Sequence, residues 1–131
     1  MIVADCSAIL ELLLGTEAGA RVGARLRIDP AELPHAPHLI DAEAAQALRR
    51  MVGAGGLPPR SGERALADLL DLPLQRHPHT LLLQRAWELR RSISAYDAMY
   101  VALAEALDAP LLTHDGRLAR AHGHRARIEL I

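Results

Sequence analysis

Short strand-like segments alternating with longer helical stretches leave this chain few folds to choose from. The segments fall at residues 2–4, 33–36, 74–77, 110–113 and 128–130. The first and fourth are the most apolar, as expected of parallel strands buried on both faces. Pro34 and Pro37 weaken the second as a strand. Between the segments, the spacing of apolar residues predicts helices over 8–14, 17–28, 40–52, 61–70, 80–91, 94–107 and 116–122. Ser7 is placed to cap the first helix, and Gly15 to stop it. The Gly- and Pro-rich stretch 53–59 reads as a loop between helices rather than a domain linker. The pattern predicts one α/β domain over 1–131, with a central parallel sheet of four to five short strands flanked by helices.

Such a sheet gathers ligands beyond the carboxyl ends of its strands. Two acids stand there in the sequence. Asp5 ends the first strand, and Asp115 follows the strand 110–113. Two more acids fall on inward helical stripes. Glu43 shares a face with Ile40 and Ala47, and Asp97 one with Val101 and Ala104. Taken singly, Asp5 and Asp115 read as helix caps. Ser94 and Asp97 likewise match a capping box, with Asp in place of Glu. Glu43 has no such local role, and a Glu on a packed stripe is unusual without a partner.

Composition sharpens the problem. All 15 basic residues are Arg, and the chain has no Lys. Buried carboxylates need a positive partner. Four hard oxygen donors suit Mg²⁺ or Mn²⁺, and such a centre suits hydrolysis of a phosphodiester. Ser7 and Thr113 are hydroxyls beside these acids, able to support the site. Receiver domains and phosphoaspartate phosphatases sit on similar sheets, but both rely on a site Lys, which is missing here.

The remaining bulk features set limits. The net charge of −1 offers no broad basic field for nucleic acid. Any steering falls to local Arg clusters such as Arg49-Arg50, Arg90-Arg91 and the set Arg117, Arg120, Arg125 and Arg127. Of these Arg117, beside Asp115, is the candidate for substrate contact, with His114 as a second. Single Cys6 excludes an internal disulfide and fits a reducing compartment. Residues 1–5 have no basic lead-in and no apolar run reaches ~20 residues, so neither a signal peptide nor a membrane span is expected and the cytoplasm is the expected location. The 7 His fall as loose pairs, His35 with His38, His77 with His79 and His122 with His124, which is poor spacing for zinc. Trp87 reads as a core or interface residue.

Four segments carry a resemblance. They are Ile2-Val-Ala-Asp-Cys-Ser-Ala8, Ala36-Pro-His-Leu-Ile-Asp-Ala-Glu43 with the helix to Arg50, Tyr96-Asp-Ala-Met-Tyr-Val-Ala-Leu-Ala104, and Pro110-Leu-Leu-Thr-His-Asp-Gly-Arg-Leu118. In this order they resemble the PIN-domain ribonucleases, and within them the VapC toxins of toxin–antitoxin pairs. The resemblance implies a PIN-like α/β fold and Mg²⁺- or Mn²⁺-dependent cleavage of RNA. It implies Asp5, Glu43, Asp97 and Asp115 as catalytic, metal-binding acids, with Ser7 and Thr113 in support. It also implies a VapB-type antitoxin as partner, a toxin homodimer, and a heterotetramer or larger assembly with the antitoxin. A non-toxin PIN-domain nuclease and a catalytically silent PIN-like binding module are the alternative readings.

Overall fold

The computed structural model describes residues 1–27 and 31–131. Its elements run β1 (Val3–Ala4), α1 (Cys6–Leu14), α2 (Glu17–Leu26), β2 (His35–Pro37), α3 (Leu39–Gly53), α4 (Pro59–Asp71), β3 (Gln75–His77), a short 3-10 turn (His79–Leu82), α5 (Leu83–Glu88), α6 (Ala95–Ala106), β4 (Leu111–Thr113), α7 (Gly116–Ala119) and β5 (Ile128–Leu130). The strands form one sheet in the order β3-β2-β1-β4-β5, and every pairing is parallel. All five expected strands are present.

This strand order decides where a site can form. The chain winds outward from β1 through β2 to β3, then returns to the other side of β1 with β4 and β5. The crossovers on either side of β1 and β4 therefore diverge, leaving a crevice at their carboxyl ends. Val3 lies opposite Leu111, and Ala4 opposite Leu112. Asp5 extends that register, its N–H donating to the Leu112 carbonyl at 3.0 Å.

The core is aliphatic. Val3 and Leu111 join the main cluster with Ile9, Ile40, Leu69 and Tyr100. Ile2 and Leu112 point into a smaller cluster with Ala8 and Val22. Leu111 and Leu112, adjacent in β4, thus serve opposite faces, as a doubly covered sheet requires.

Several local expectations shift. Asp5, not Ser7, caps α1, its side chain accepting from the Ala8 N–H. An acid fills this role as well as a hydroxyl does, and Ser7 is drawn elsewhere. β2 begins two residues later than expected, and Pro37 sits at its end, where a missing N–H costs least. The last residue of the helix expected over 17–28 lies outside the described residues. The helix expected over 80–91 divides into the 3-10 turn and the six-residue α5. Leu81 is 86% exposed and Trp87 68%, so Trp87 is not a core residue. α7 stops at Ala119, before the expected 122, because Ala121 closes an i→i−3 bond to Leu118 and the chain then turns at Gly123 with φ 86°.

α1 and α2 pack closely because Gly19 has no side chain. A Cβ there would stand 2.0 Å from the Glu11 carbonyl oxygen, a backbone atom that cannot swing aside. Gly19→Ala is therefore expected to destabilise the fold by about 2–3 kcal/mol, the cost of forced overpacking. Urea unfolding checks this; an unchanged midpoint would show that the two helices separate freely.

Candidate functional site

Asp5 is only 4% exposed, yet its carboxylate is well supplied with donors. Oδ1 accepts from the Ser7 hydroxyl at 2.7 Å and the Ala8 N–H at 2.9 Å. Oδ2 accepts from the Thr113 hydroxyl at 2.6 Å. Each hydroxyl also holds the loop after β4. Ser7 Oγ accepts from the His114 N–H at 2.8 Å, and Thr113 Oγ1 from the Asp115 N–H at 2.9 Å. Ser7 and Thr113 therefore join the first acid to the fourth across the crevice.

Glu43 comes from α3. Its Oε1 accepts from the Tyr100 hydroxyl at 2.9 Å. Tyr100 is buried on α6, one turn beyond Asp97. Burial, with Glu43 beside it, pushes the phenol far above its usual range, so it remains a donor. Tyr100 is the supporting residue that sequence reading missed. The signal available was its place, with Asp97 and Ala104, on the inward stripe of α6.

Asp97 stands in the first turn of α6, where its N–H donates to the Ser94 hydroxyl at 3.1 Å. Ser94 thus caps the helix start, and Asp97 lines the crevice. Asp115 caps α7 through the Arg117 N–H at 2.8 Å, and the Arg117 guanidinium lies 3.5 Å from its other oxygen. All four acids, with Ser7 and Arg117, line one cavity of about 660 Å³. Thr113 sits behind them, fully buried.

The electrostatics separate these acids from ordinary surface carboxylates. Burial raises Asp5 above the usual carboxylate range, outweighing its three hydrogen bonds, and Asp97 raises it further. Burial also raises Glu43, with Asp97 and Asp5 adding to it against the Tyr100 bond. Asp97 is raised by burial and by Asp115. For Asp115 burial acts the same way, but the Arg117 N–H and guanidinium outweigh it and hold the group low. Among the described residues no Arg forms an ion pair with Asp5, Glu43 or Asp97. Repulsion links the four acids, and the Arg117 guanidinium, paired with Asp115, offsets part of it at Asp97 as well.

A divalent cation fits this donor set, which is all oxygen and short of positive charge. Among the described residues no three His, Cys, Asp or Glu side chains stand close enough together to hold a metal ion by themselves. An open, acid-lined cavity matches a cation that keeps several of its waters, as Mg²⁺ does.

Two neighbours have other duties. His114 does not line the cavity; its ring Nδ1 pairs with the Ile131 carbonyl, and its Nε2 is 3.9 Å from Glu11. This placement lends no support of its own to the expected substrate contact at His114. Burial and the neighbouring Glu43 and Asp5 push the Cys6 thiol up to about 12, which leaves it an inert packing group. His35 pairs across strands with His77, Nδ1 to Nε2 at 2.7 Å.

The sequence matches the PIN domain family over residues 2–123. It is 46% identical to Ribonuclease VapC12 of Mycobacterium tuberculosis, covering 100% of this chain and 99% of that protein. The fold is similar to the crystal structure of PAE2754 from Pyrobaculum aerophilum, with a TM-score of 0.68 at 25% identity over 97% of this chain and 81% of that one. It is also similar to VapBC2 from Rickettsia felis, bound there to a DNA fragment from their promoter. That match has a TM-score of 0.69 at 14% identity over 99% of this chain and 98% of that one, a likeness of fold. The chain belongs to the PIN-domain family, in its VapC branch.

The raised acids carry a pH dependence of known sign. A carboxyl whose folded pKa lies above its unfolded value binds more protons in the native state, so its contribution to stability is full at low pH and is lost as pH rises through the raised value. Removing one such group relieves the ionised cluster. In divalent-free buffer at about pH 8, Asp97→Asn is expected to melt roughly 2–5 °C above the wild type. The gap narrows as pH falls through the raised carboxyl pKa, and Mg²⁺ raises the wild type more than the variant. A pH series of thermal melts checks this; a variant less stable than wild type at every pH contradicts the electrostatic reading.

Proposed function

We propose that this protein is a metal-dependent endoribonuclease, the toxin of a toxin–antitoxin pair. The observation that carries the reading is the convergence of Asp5, Glu43, Asp97 and Asp115 on one cavity at the switch point of the sheet. The close likeness to Ribonuclease VapC12 supports RNA as the substrate.

In this reading the four acids are the catalytic set and the ligands of Mg²⁺ (or Mn²⁺). Such a cation, when bound, would compensate the charge of a phosphate and lower the pKa of water to near neutral pH. The chain's residues do the positioning. Ser7, Thr113 and the Ala8 N–H fix both oxygens of Asp5, which leaves one acceptor site, on Oδ2, for a further ligand. Tyr100 fixes Glu43 by one oxygen, and among the described residues the other has no hydrogen-bond partner. Arg117, 88% exposed at the mouth, offers a guanidinium to a phosphate. A VapB-type antitoxin is the proposed partner, a basic side chain entering the acid cavity being one means of inhibition. A homodimer is the proposed state of the toxin, joined into a heterotetramer or larger assembly with the antitoxin.

Purified protein incubated with total cellular RNA and Mg²⁺ or Mn²⁺ is expected to give discrete cleavage ends, and chelation by EDTA to abolish them. Asp5→Asn and Asp97→Asn are each expected to lose more than about 100-fold in rate, beyond the loss typical of residues that only support a metal ligand. Full activity in either variant, or in EDTA, would sink the proposal. Binding of metal without cleavage of any RNA would favour a silent binding module.

A further inference from the structure

The two tyrosines of α6 have opposite fates. Tyr100 is 1% exposed and bonded to Glu43, whereas Tyr96 is 67% exposed. Tyr96 sits beside Asp97 and lines the acid cavity. Among the described residues its ring has no aromatic or guanidinium neighbour and its hydroxyl no hydrogen bond. The chain exposes other large apolar side chains, including Leu81 and Trp87. None of those borders the acids, and the Trp87 ring is covered by Arg90 at 4.8 Å. Among the described residues Tyr96 is thus the one bare aromatic face at the mouth of the site.

The opposite wall carries a second unmatched group. On α3, Glu43, Gln46, Ala47 and Arg50 all line the cavity. Arg50 lies two turns beyond Glu43 on the same face, about 10.5 Å further along the helix. Most arginines near the core are committed. Arg25 holds Glu129, Arg76 holds Asp41 and Arg85 holds Glu105, each through two nitrogens. Arg50 has no ion-pair partner among the described residues.

We propose that Tyr96 is the stacking platform for one unpaired base of the RNA next to the scissile bond, and that Arg50 contacts a phosphate further along the same strand. This rests on the ribonuclease reading above. The floor of the cavity is anionic and suits a cation, while the rim offers a π-face on one wall and a guanidinium on the other. A single-stranded polynucleotide presents both matching groups, base faces and phosphates, at short intervals. In a duplex the base faces are covered by their neighbours, so the platform selects a nucleotide held in a loop, bulge or single strand. The residue beside the third acid then sets which unstacked nucleotide enters, and Arg50 adds affinity without sequence preference.

The test has two stages. Cleavage ends in total cellular RNA are mapped for wild type, Tyr96→Leu, Tyr96→Phe and Arg50→Gln, and a synthetic RNA spanning one mapped cut is then made with and without a base at each flanking nucleotide. Tyr96→Leu is expected to lose about 10- to 100-fold in kcat/KM, with Phe restoring most of it. At one flanking position the abasic RNA should cost the wild type as much as Tyr96→Leu does and cost that variant nothing more, a coupling that a merely structural role would not produce. Arg50→Gln should weaken all cuts by a similar factor and flatten the dependence on salt. Independent, additive penalties at every position, or wild-type kinetics and cleavage profile in Tyr96→Leu, would overturn the proposal. So would a Tyr96→Leu protein whose only change is its mass in light scattering, which would make Tyr96 a contact between copies. If the wild type itself cuts no RNA, the ribonuclease reading fails and the platform falls with it; a failure confined to the variants leaves that reading standing.

Discussion

Three donors converge on the Asp5 carboxylate, and the rest of the site follows from them. Ser7 and Ala8 come from the first turn of α1, and Thr113 from the end of β4. Because both hydroxyls also accept from the backbone after β4, one carboxylate ties the carboxyl ends of β1 and β4 together where the crossovers diverge. Asp115 is thereby held at a set position relative to Asp5. Each interaction is an ordinary hydrogen bond, but together they close a network inside a buried region, where unsatisfied polar atoms are costly.

The same network does not neutralise the charge it holds. Asp5 remains raised despite its donors, because burial outweighs them. Glu43 and Asp97 add repulsion from α3 and α6. The contrast lies elsewhere in the molecule. Glu105, also well shielded from solvent, is drawn below its usual range by Arg85. The fold therefore satisfies a buried acid with Arg where only structure is at stake, and leaves acids unneutralised at the crevice. Such local tension is typical of a working site stabilised by the surrounding core.

Much of this was legible in the sequence, for physical reasons. Asp5 and Asp115 end strands, and strand ends in a parallel sheet face the ligand side. Glu43 and Asp97 occupy inward helical stripes, which periodicity alone reveals. What escaped depended on partners far apart in sequence. Tyr100 reaches Glu43 across a separation of 57 residues, which no local period encodes. Ser7 looked like a cap because hydroxyls favour that place, but the nearby acid took the role and left Ser7 to brace the site. His114 adjoins Asp115 in sequence, yet its ring turns to the carbonyl of Ile131 instead. The apolar run Leu81-Leu82-Leu83 read as one long helix; only Leu82 is buried, and the segment turns before Ser94 can start α6.

The central claim is that the four acids hold a divalent cation whose charge they otherwise lack. Crystals of the protein soaked with Mn²⁺ and measured at an anomalous-scattering wavelength test it most directly. The account predicts a peak in the crevice between β1 and β4, about 2.1 Å from oxygens of at least two of Asp5, Glu43, Asp97 and Asp115, with water filling the remaining positions. A fully occupied peak elsewhere, with the crevice bare at saturating Mn²⁺, would contradict it.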